Sequence, residues 1–119
     1  AGAGIYVYEN GLRVLEALGA IDEAIAGASL THTREVRDEK NRLLSTHSWR
    51  HTGRVYSIVR QRLIDALAAA ARRSGAEIVT GSEGSSATPE GRLTLASGET
   101  AQADLVVAAD GGNSRIRDG

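Results

Sequence analysis

A carboxylate followed by two glycines, placed where an apolar run ends, is the arrangement in this 119-residue chain best suited to chemistry. It stands at Asp110-Gly111-Gly112, after Leu105-Val106-Val107-Ala108-Ala109 and before Asn113-Ser114-Arg115-Ile116-Arg117. Glycines let a backbone approach a ligand, a carboxylate accepts hydrogen bonds from ribose hydroxyls, and N–H groups at a helix start favour phosphate. The same residues also suit an ordinary strand-to-helix turn, with Asp110 stabilising the turn and Asn113 or Ser114 capping the helix. Residue types alone leave both readings open.

Arg60 is the second candidate, because it opens the clearest helix of the sequence and positive charge there opposes the helix dipole. A nearby anion would account for it; so would a solvated surface arginine. Arg115 and Arg117 carry less weight, since exposed helix arginines are commonly just solvated. His32, His47 and His51 show no spacing that supplies a third metal ligand, and no side chain stands out as a catalytic base. Trp49, with Tyr6, Tyr8 and Tyr56, reads as core or substrate-side packing rather than a platform for nucleic-acid bases.

Composition narrows the partners. With 41% hydrophobic and 24% charged residues the chain has the make-up of a globular domain, and 14 basic against 15 acidic residues give no electrostatic case for nucleic acid or an anionic membrane. There is no cysteine, which removes disulfides and thiolate chemistry and is compatible with the reducing cytoplasm expected here. No apolar run reaches the roughly 18 residues of a membrane helix. The chain opens on Ala1-Gly2-Ala3-Gly4-Ile5 without methionine and stops at Arg117-Asp118-Gly119, so an internal piece of a longer protein is expected.

The elements that must position these residues are partly legible. Leu12, Leu15 and Leu18 share one face of a helix over 10–18, with Asn10 as N-cap and Gly19 as the stop. A short helix over 21–26 follows, with Asp22 and Glu23 in its first turn and Gly27 closing it. Thr31, Thr33 and Val36 favour extended chain, 38–41 reads as a polar hairpin turn, and Leu43-Leu44 begins the return strand. The helix over 60–74 carries Leu63, Ile64, Leu67, Ala70 and Ala71, a narrow face suited to packing on a sheet, and ends at Gly75. A strand over 76–80, a Gly/Ser loop over 81–86, a strand over 92–96, a two-residue turn at Ser97-Gly98 and a return strand over 99–103 come next. The apolarity of 105–109 asks for a strand covered on both faces. Parallel and antiparallel signals mix, pointing to parts of two sheets.

Three stretches in this order resemble the class A FAD-dependent monooxygenases, the aromatic hydroxylases related to 4-hydroxybenzoate and salicylate hydroxylases. Gly2-Ala3-Gly4-Ile5 with Asn10-Gly11-Leu12-Arg13-Val14-Leu15 is similar to the family's flavin-side loop and following helix, most of all to oxygenases of a methyl-hydroxypyridine carboxylate. Val59-Arg60-Gln61-Arg62-Leu63 resembles the segment whose leading polar residue approaches FAD, and the third stretch is the Asp-Gly segment at Asp110-Gly111. The resemblance implies a mixed α/β chain: part of an FAD-binding, Rossmann-like domain at 1–29 and 60–119, with strands of a substrate domain at 30–59.

By the same resemblance Gly2, Ala3, Gly4 and Ile5 would line the isoalloxazine, although as an isolated segment they also fit an ordinary tail. Arg60 would meet the ribityl or pyrophosphate part of FAD; Asp110 would arrange the site and influence use of NADH or NADPH, and Gly111 would leave room for close approach. The intact enzyme would use FAD, the nicotinamide co-substrate and oxygen to hydroxylate a small aromatic or heteroaromatic molecule, or, on the same fold, would carry out epoxidation, halogenation or reduction. The family's Gly-x-Gly-x-x-Gly turn is not met, since Val7 holds the place of the third glycine after Gly2 and Gly4. The isolated chain is therefore expected to be inactive, and open sheet edges would favour self-association as a non-catalytic α/β unit.

Overall fold

Alternation along 4–8, with Ile5 and Val7 half-buried between exposed Tyr6 and Tyr8, makes the first element a strand with one face to the core. The computed structural model describes residues 4–50 and 52–116, so Gly2, Ala3, His51 and Arg117 lie outside the described residues. The chain divides into two compact units, Ala1–Ile78 and Val79–Gly119.

In the first unit β1 (Gly4–Tyr8) runs directly into α1 (Glu9–Ala17), followed by α2 (Ile21–Ile25), β2 (Ser29–Leu30), β3 (Thr33–Arg37), β4 (Leu43–Ser48), β5 (Val55–Val59) and α3 (Arg60–Arg73). A three-stranded sheet has the order β1-β5-β2, and β3 pairs with β4 as a separate hairpin. Every ladder is antiparallel, so the expected parallel pairing does not occur among the described residues.

The first helix begins earlier than expected. Tyr8 is its cap residue and is still extended, with φ −88° and ψ 168°, because its pairing with Val55 holds it in the ladder. Asn10 therefore sits inside the first turn, and no side chain caps the helix. Leu12 and Leu15 are buried, each worth about 2 kcal/mol of apolar burial. Leu18 lies beyond the last helical turn, where the chain swings away at Gly19 (φ +63°), and stays exposed.

One core cluster is mostly alanine: Leu15, Ala20, Ala24, Ala66 and Ala70 pack together, flanked by Val7, Ile21 and Leu63. Alanine at 66 and 70 lets α3 lie against α2, so its principal seat is a helix and not the sheet expected from its narrow face. Ile64 and Leu67, on its other side, remain exposed. Arg73 fastens the end of α3 by donating to the Glu23 carboxylate at 2.7 Å and the Gly19 carbonyl at 2.9 Å.

The turn over 38–41 forms as expected: Asp38 accepts from the backbone N–H of Lys40 and Arg42, and Asn41 takes φ +61°. The Arg42 N–H, followed by the Arg42 side chain, holds the Asp38 carboxyl below its usual range.

The second unit is a meander, β6 (Gly84–Ala87), β7 (Arg92–Leu95) and β8 (Thr100–Gln102), in the order β6-β7-β8. Part of the expected Gly/Ser loop is thus strand: Gly84, Ser86 and Ala87 pair with Leu95, Thr94 and Leu93, and the register shifts at Ser85, whose hydroxyl donates to the Thr94 carbonyl at 3.1 Å. The following turn has three residues, 96–98: the Leu95 N–H donates to the Glu99 carbonyl and Gly98 takes φ +89°. That is the loop in which a left-handed residue re-enters the ladder.

Two expected strands are not formed. Segments 76–80 and 105–109 pair with no described strand, and Val79, Leu105 and Val107 are 65%, 76% and 74% exposed. Their apolarity specifies a covered environment, but a ladder also needs a neighbour with free N–H and C=O groups, and no described strand supplies one. Among the described residues no α-helix follows Gly111.

Candidate functional site

The pairing of Gly4 with Val59 and of Ile5 with Ile58 brings Gly4, Ile5 and Arg60 to one end of the β1-β5 ladder. Val59 is the cap of α3, with no side-chain cap and no acidic residue in the first turn. The first N–H groups of a 14-residue helix are left open there, at its positive end. Arg60 and Arg62 add two guanidiniums, and neither makes a hydrogen bond or ion pair with a described residue. The carboxylate one turn along, Asp65, accepts from the Gln61 amide at 2.9 Å. A Cβ added to Gly4 would meet only Ile58 O and Ser57 Oγ at 3.7 Å, so packing within the chain does not demand glycine there.

Asp110 and Gly111 belong to the second unit. Gly111 takes φ +91°, accepts from the Ser114 N–H at 3.2 Å, and has nothing within 4 Å of the position a Cβ would occupy. Its left-handed backbone is the reason for glycine, and the open space leaves it approachable. Asp110 is exposed and has no hydrogen-bond or ion-pair partner among the described residues. Arg115 lies 3.5 Å from Glu83, an exposed ion pair of little energetic weight.

A feature missed in the sequence holds the far end of β1. Glu9 accepts from the Arg54 backbone N–H at 2.9 Å, from Arg54 Nε at 3.0 Å and from Arg54 Nη2 at 3.0 Å, while Nη2 also reaches Glu16 at 2.8 Å. The Arg54 side chain, then its backbone N–H, lowers the Glu9 carboxyl to about 2. Gly53 makes this approach possible: it takes φ +118°, and a Cβ there would sit 2.8 Å from Glu9 Cβ. The Gly53-Arg54 pair and the spacing of Glu9 and Glu16 on one helix face were the only sequence signals, and neither names its partner.

This clamp closes a loop that carries Trp49. The indole is 8% exposed, lies 6.4 Å from the Tyr6 ring and 6.1 Å from Tyr8, and takes His47 edge-on at 4.9 Å. The Trp49 backbone N–H donates to the His32 carbonyl at 2.9 Å. Trp49 thus provides packing, one of the roles expected for it, and His47 is an aromatic neighbour. Among the described residues no three metal-ligating side chains gather, and no helix is long and apolar enough to cross a membrane. Beside the clamp a cleft of about 660 Å³ opens between Tyr8, Trp49 and Arg13.

The mixed α/β architecture matches part of the FAD-binding fold of class A flavoprotein monooxygenases. The chain belongs to the family described as FAD binding domain, whose profile matches residues 3–119. It is 42% identical over 119 residues to 2-heptyl-3-hydroxy-4(1H)-quinolone synthase of Mycobacteroides abscessus, a match covering 98% of this chain and 32% of that protein. The crystal structure of 2-methyl-3-hydroxypyridine-5-carboxylic acid oxygenase superposes with a TM-score of 0.89 at 43% identity, over 99% of this chain and 31% of the oxygenase. A tetrameric form of that oxygenase gives a TM-score of 0.88 with the same identity and coverage. The chain therefore spans about a third of the length of these relatives.

Proposed function

We propose that this chain is the part of an FAD- and NAD(P)H-dependent monooxygenase that receives one side of the flavin cofactor, and that the intact protein hydroxylates an aromatic or heteroaromatic small molecule. The observation that carries this reading is the ladder end where Gly4 and Ile5 stand beside Arg60. Two unpaired guanidiniums and an uncapped helix start call for an anion, and a glycine not required by packing leaves room for a flat group. These features fit a cofactor that joins a planar ring to a pyrophosphate.

In this reading Gly4 and Ile5, with Gly2 and Ala3, serve the ring and Arg60 the ribityl or pyrophosphate portion; by the family resemblance Asp110 bears on the use of NADH or NADPH and Gly111 leaves room for close approach. Residues 1–29 and 60–119 serve the FAD domain and 30–59 the substrate domain. When bound, FAD supplies electron transfer and oxygen activation, which no side chain of the chain can provide. The chain's own contribution is to bind and orient. The quinolone that the synthase is named for making and the pyridine-carboxylic acid that the oxygenase is named for acting on support a ring substrate.

The test is to add FAD to the chain and to its Arg60→Ala variant and follow the visible spectrum and binding heat. Saturable binding, weakened about tenfold or more by loss of one charge-assisted contact, is expected. Equal affinity of both proteins would remove Arg60 from the site, and no binding by either would remove the chain as an autonomous flavin binder. A reading in which the isolated chain self-associates without catalysis is favoured by the exposed, unpaired stretches at Val79, Leu105 and Val107, and the tetrameric form of the related oxygenase gives it a precedent. Solution mass measured across a dilution series decides it, and a constant monomer mass would refute it.

A further inference from the structure

Strand β1 lies at the edge of its sheet, with β5 as its one strand neighbour among the described residues. Whatever fixes β1 on β5 therefore fixes where Gly4 and Ile5 stand relative to Arg60. The apolar pattern does this poorly. Ile5, Val7 and Ile58 share one face of the pair and Tyr6, Tyr8 and Val55 the other, so a slip by one residue exchanges one apolar set for another. Both strands also pass into their helices without a linking residue, β1 at Tyr8–Glu9 and β5 at Val59–Arg60. A one-residue slip would carry Arg60 past Gly4 by about 3.4 Å and turn the side chains of β1 to the opposite face.

Glu9 and Arg54 hold the place of the next pair of this ladder, directly after Tyr8 and Val55. Glu9 has already entered α1, and its carboxylate, in place of a strand carbonyl, accepts from the Arg54 backbone N–H at 2.9 Å. The Arg54 fork closes on both carboxylate oxygens at 3.0 Å, and Nη2 reaches Glu16, two turns along the same helix, at 2.8 Å. Gly53, where a Cβ would strike Glu9, leaves the approach open. The backbone bond and the two-pronged contact form together only when position 9 stands opposite position 54.

We propose that the Glu9–Arg54 clamp is the register lock of β1 on β5. Glu9 and Arg54 are positioning residues that hold Gly4 and Ile5 beside Arg60 from the far end of the ladder, roughly 15 Å away. The flavin consequence rests on the function proposed above, so the two are read separately. Without FAD, NMR contacts between protons of Gly4 and Val59 and of Ile5 and Ile58 report the register. In Arg54→Gln these contacts should fall to a minority of molecules, with FAD affinity lowered about tenfold in the same proportion, because the competent fraction sets the apparent affinity. Arg54→Lys, which keeps the charge without the fork, should retain a larger share of the contacts and serves where Arg54→Gln fails to fold. Arg60→Ala, by contrast, should keep the contacts while losing FAD affinity. Arg42→Gln, which removes the ion pair with Asp38 in the hairpin turn, should change neither. The chain has no cysteine, so Tyr6→Cys with Ser57→Cys forms a single bridge between opposed residues. In the oxidised state, and not when reduced, that bridge should restore both contacts and FAD affinity to Arg54→Gln. Native contacts kept in Arg54→Gln and Arg54→Lys would overturn the lock even where Tm falls, since a merely stabilising clamp leaves the folded register unchanged. A bridge that restores neither overturns action through register. If the unsubstituted chain takes up no FAD, the flavin reading fails while the contacts still decide the lock.

Discussion

All the buried hydrophobic residues, Leu12, Leu15, Ala20, Ala24, Trp49, Val55, Ile58, Ala66 and Ala70, belong to the first unit; the second has none among its described residues. The first unit is held by side chains meeting across long sequence separations, as Arg54 meets Glu9 and Arg73 meets Glu23. The meander of the second unit depends on backbone ladders and on turns that only glycine enters at ease, with its most apolar segment lying open. The first is therefore a cooperative core, whereas the second is a set of local pairings that gain little from hydrophobic burial.

The contrast breaks most readily at Leu12, which is fully buried in the first unit. Leu12→Ala should cost about 3 kcal/mol and lower Tm by about 15 °C, measured by thermal unfolding. A loss under about 1 kcal/mol would mean that the helical core does not govern stability.

The next largest effect belongs to the meander. Gly91 takes φ +82°, and a Cβ there would fall on the Ala103 carbonyl oxygen. Gly91→Ala should destabilise the second unit by about 2 kcal/mol or more and strip hydrogen-exchange protection from 84–103. Amides of α1 and α3 should keep their protection; their joint loss would show the two units to be one cooperative body.

Glu9→Gln gives a smaller effect with a distinctive pH dependence. The folded carboxyl sits at about 2 against an ordinary 4.5, so ionised Glu9 favours the folded state fully above 4.5. That advantage fades as pH falls from 4.5 toward 2, because the unfolded chain takes up a proton first. Urea unfolding at pH 7, 5 and 3 should show the gap between the chain and Glu9→Gln shrinking at pH 3; a pH-independent gap would contradict the clamp. Smallest of all, Val107→Thr should stay within about 0.5 kcal/mol, since its side chain is 74% exposed, and a larger loss would place Val107 in a contact of its own.

What could be read from the sequence followed from range. The helix around Leu12 and Leu15, the breaks at Gly19, Gly27 and Gly75, and the turn at Asp38 are decided by neighbours a few residues away. Residues 105–109 were read as a covered strand because apolarity records the surroundings a segment requires, while pairing depends on which strands are present. The Glu9–Arg54 contact joins residues 45 positions apart, and no periodicity signals it. The candidates Gly4, Arg60, Asp110 and Gly111 were singled out in the sequence through family resemblance. That Gly4 and Arg60 share one ladder end emerges only from the register of β1 on β5.

The alanine seam joining α2 to α3 has an entropic meaning as well as a steric one. Ala20, Ala24, Ala66 and Ala70 have no rotamers to lose, so the helices meet at little side-chain entropy cost. The same economy leaves the seam without slack. A larger side chain at Ala66, 2% exposed, has no second rotamer pocket to enter and can be accommodated only by moving a helix.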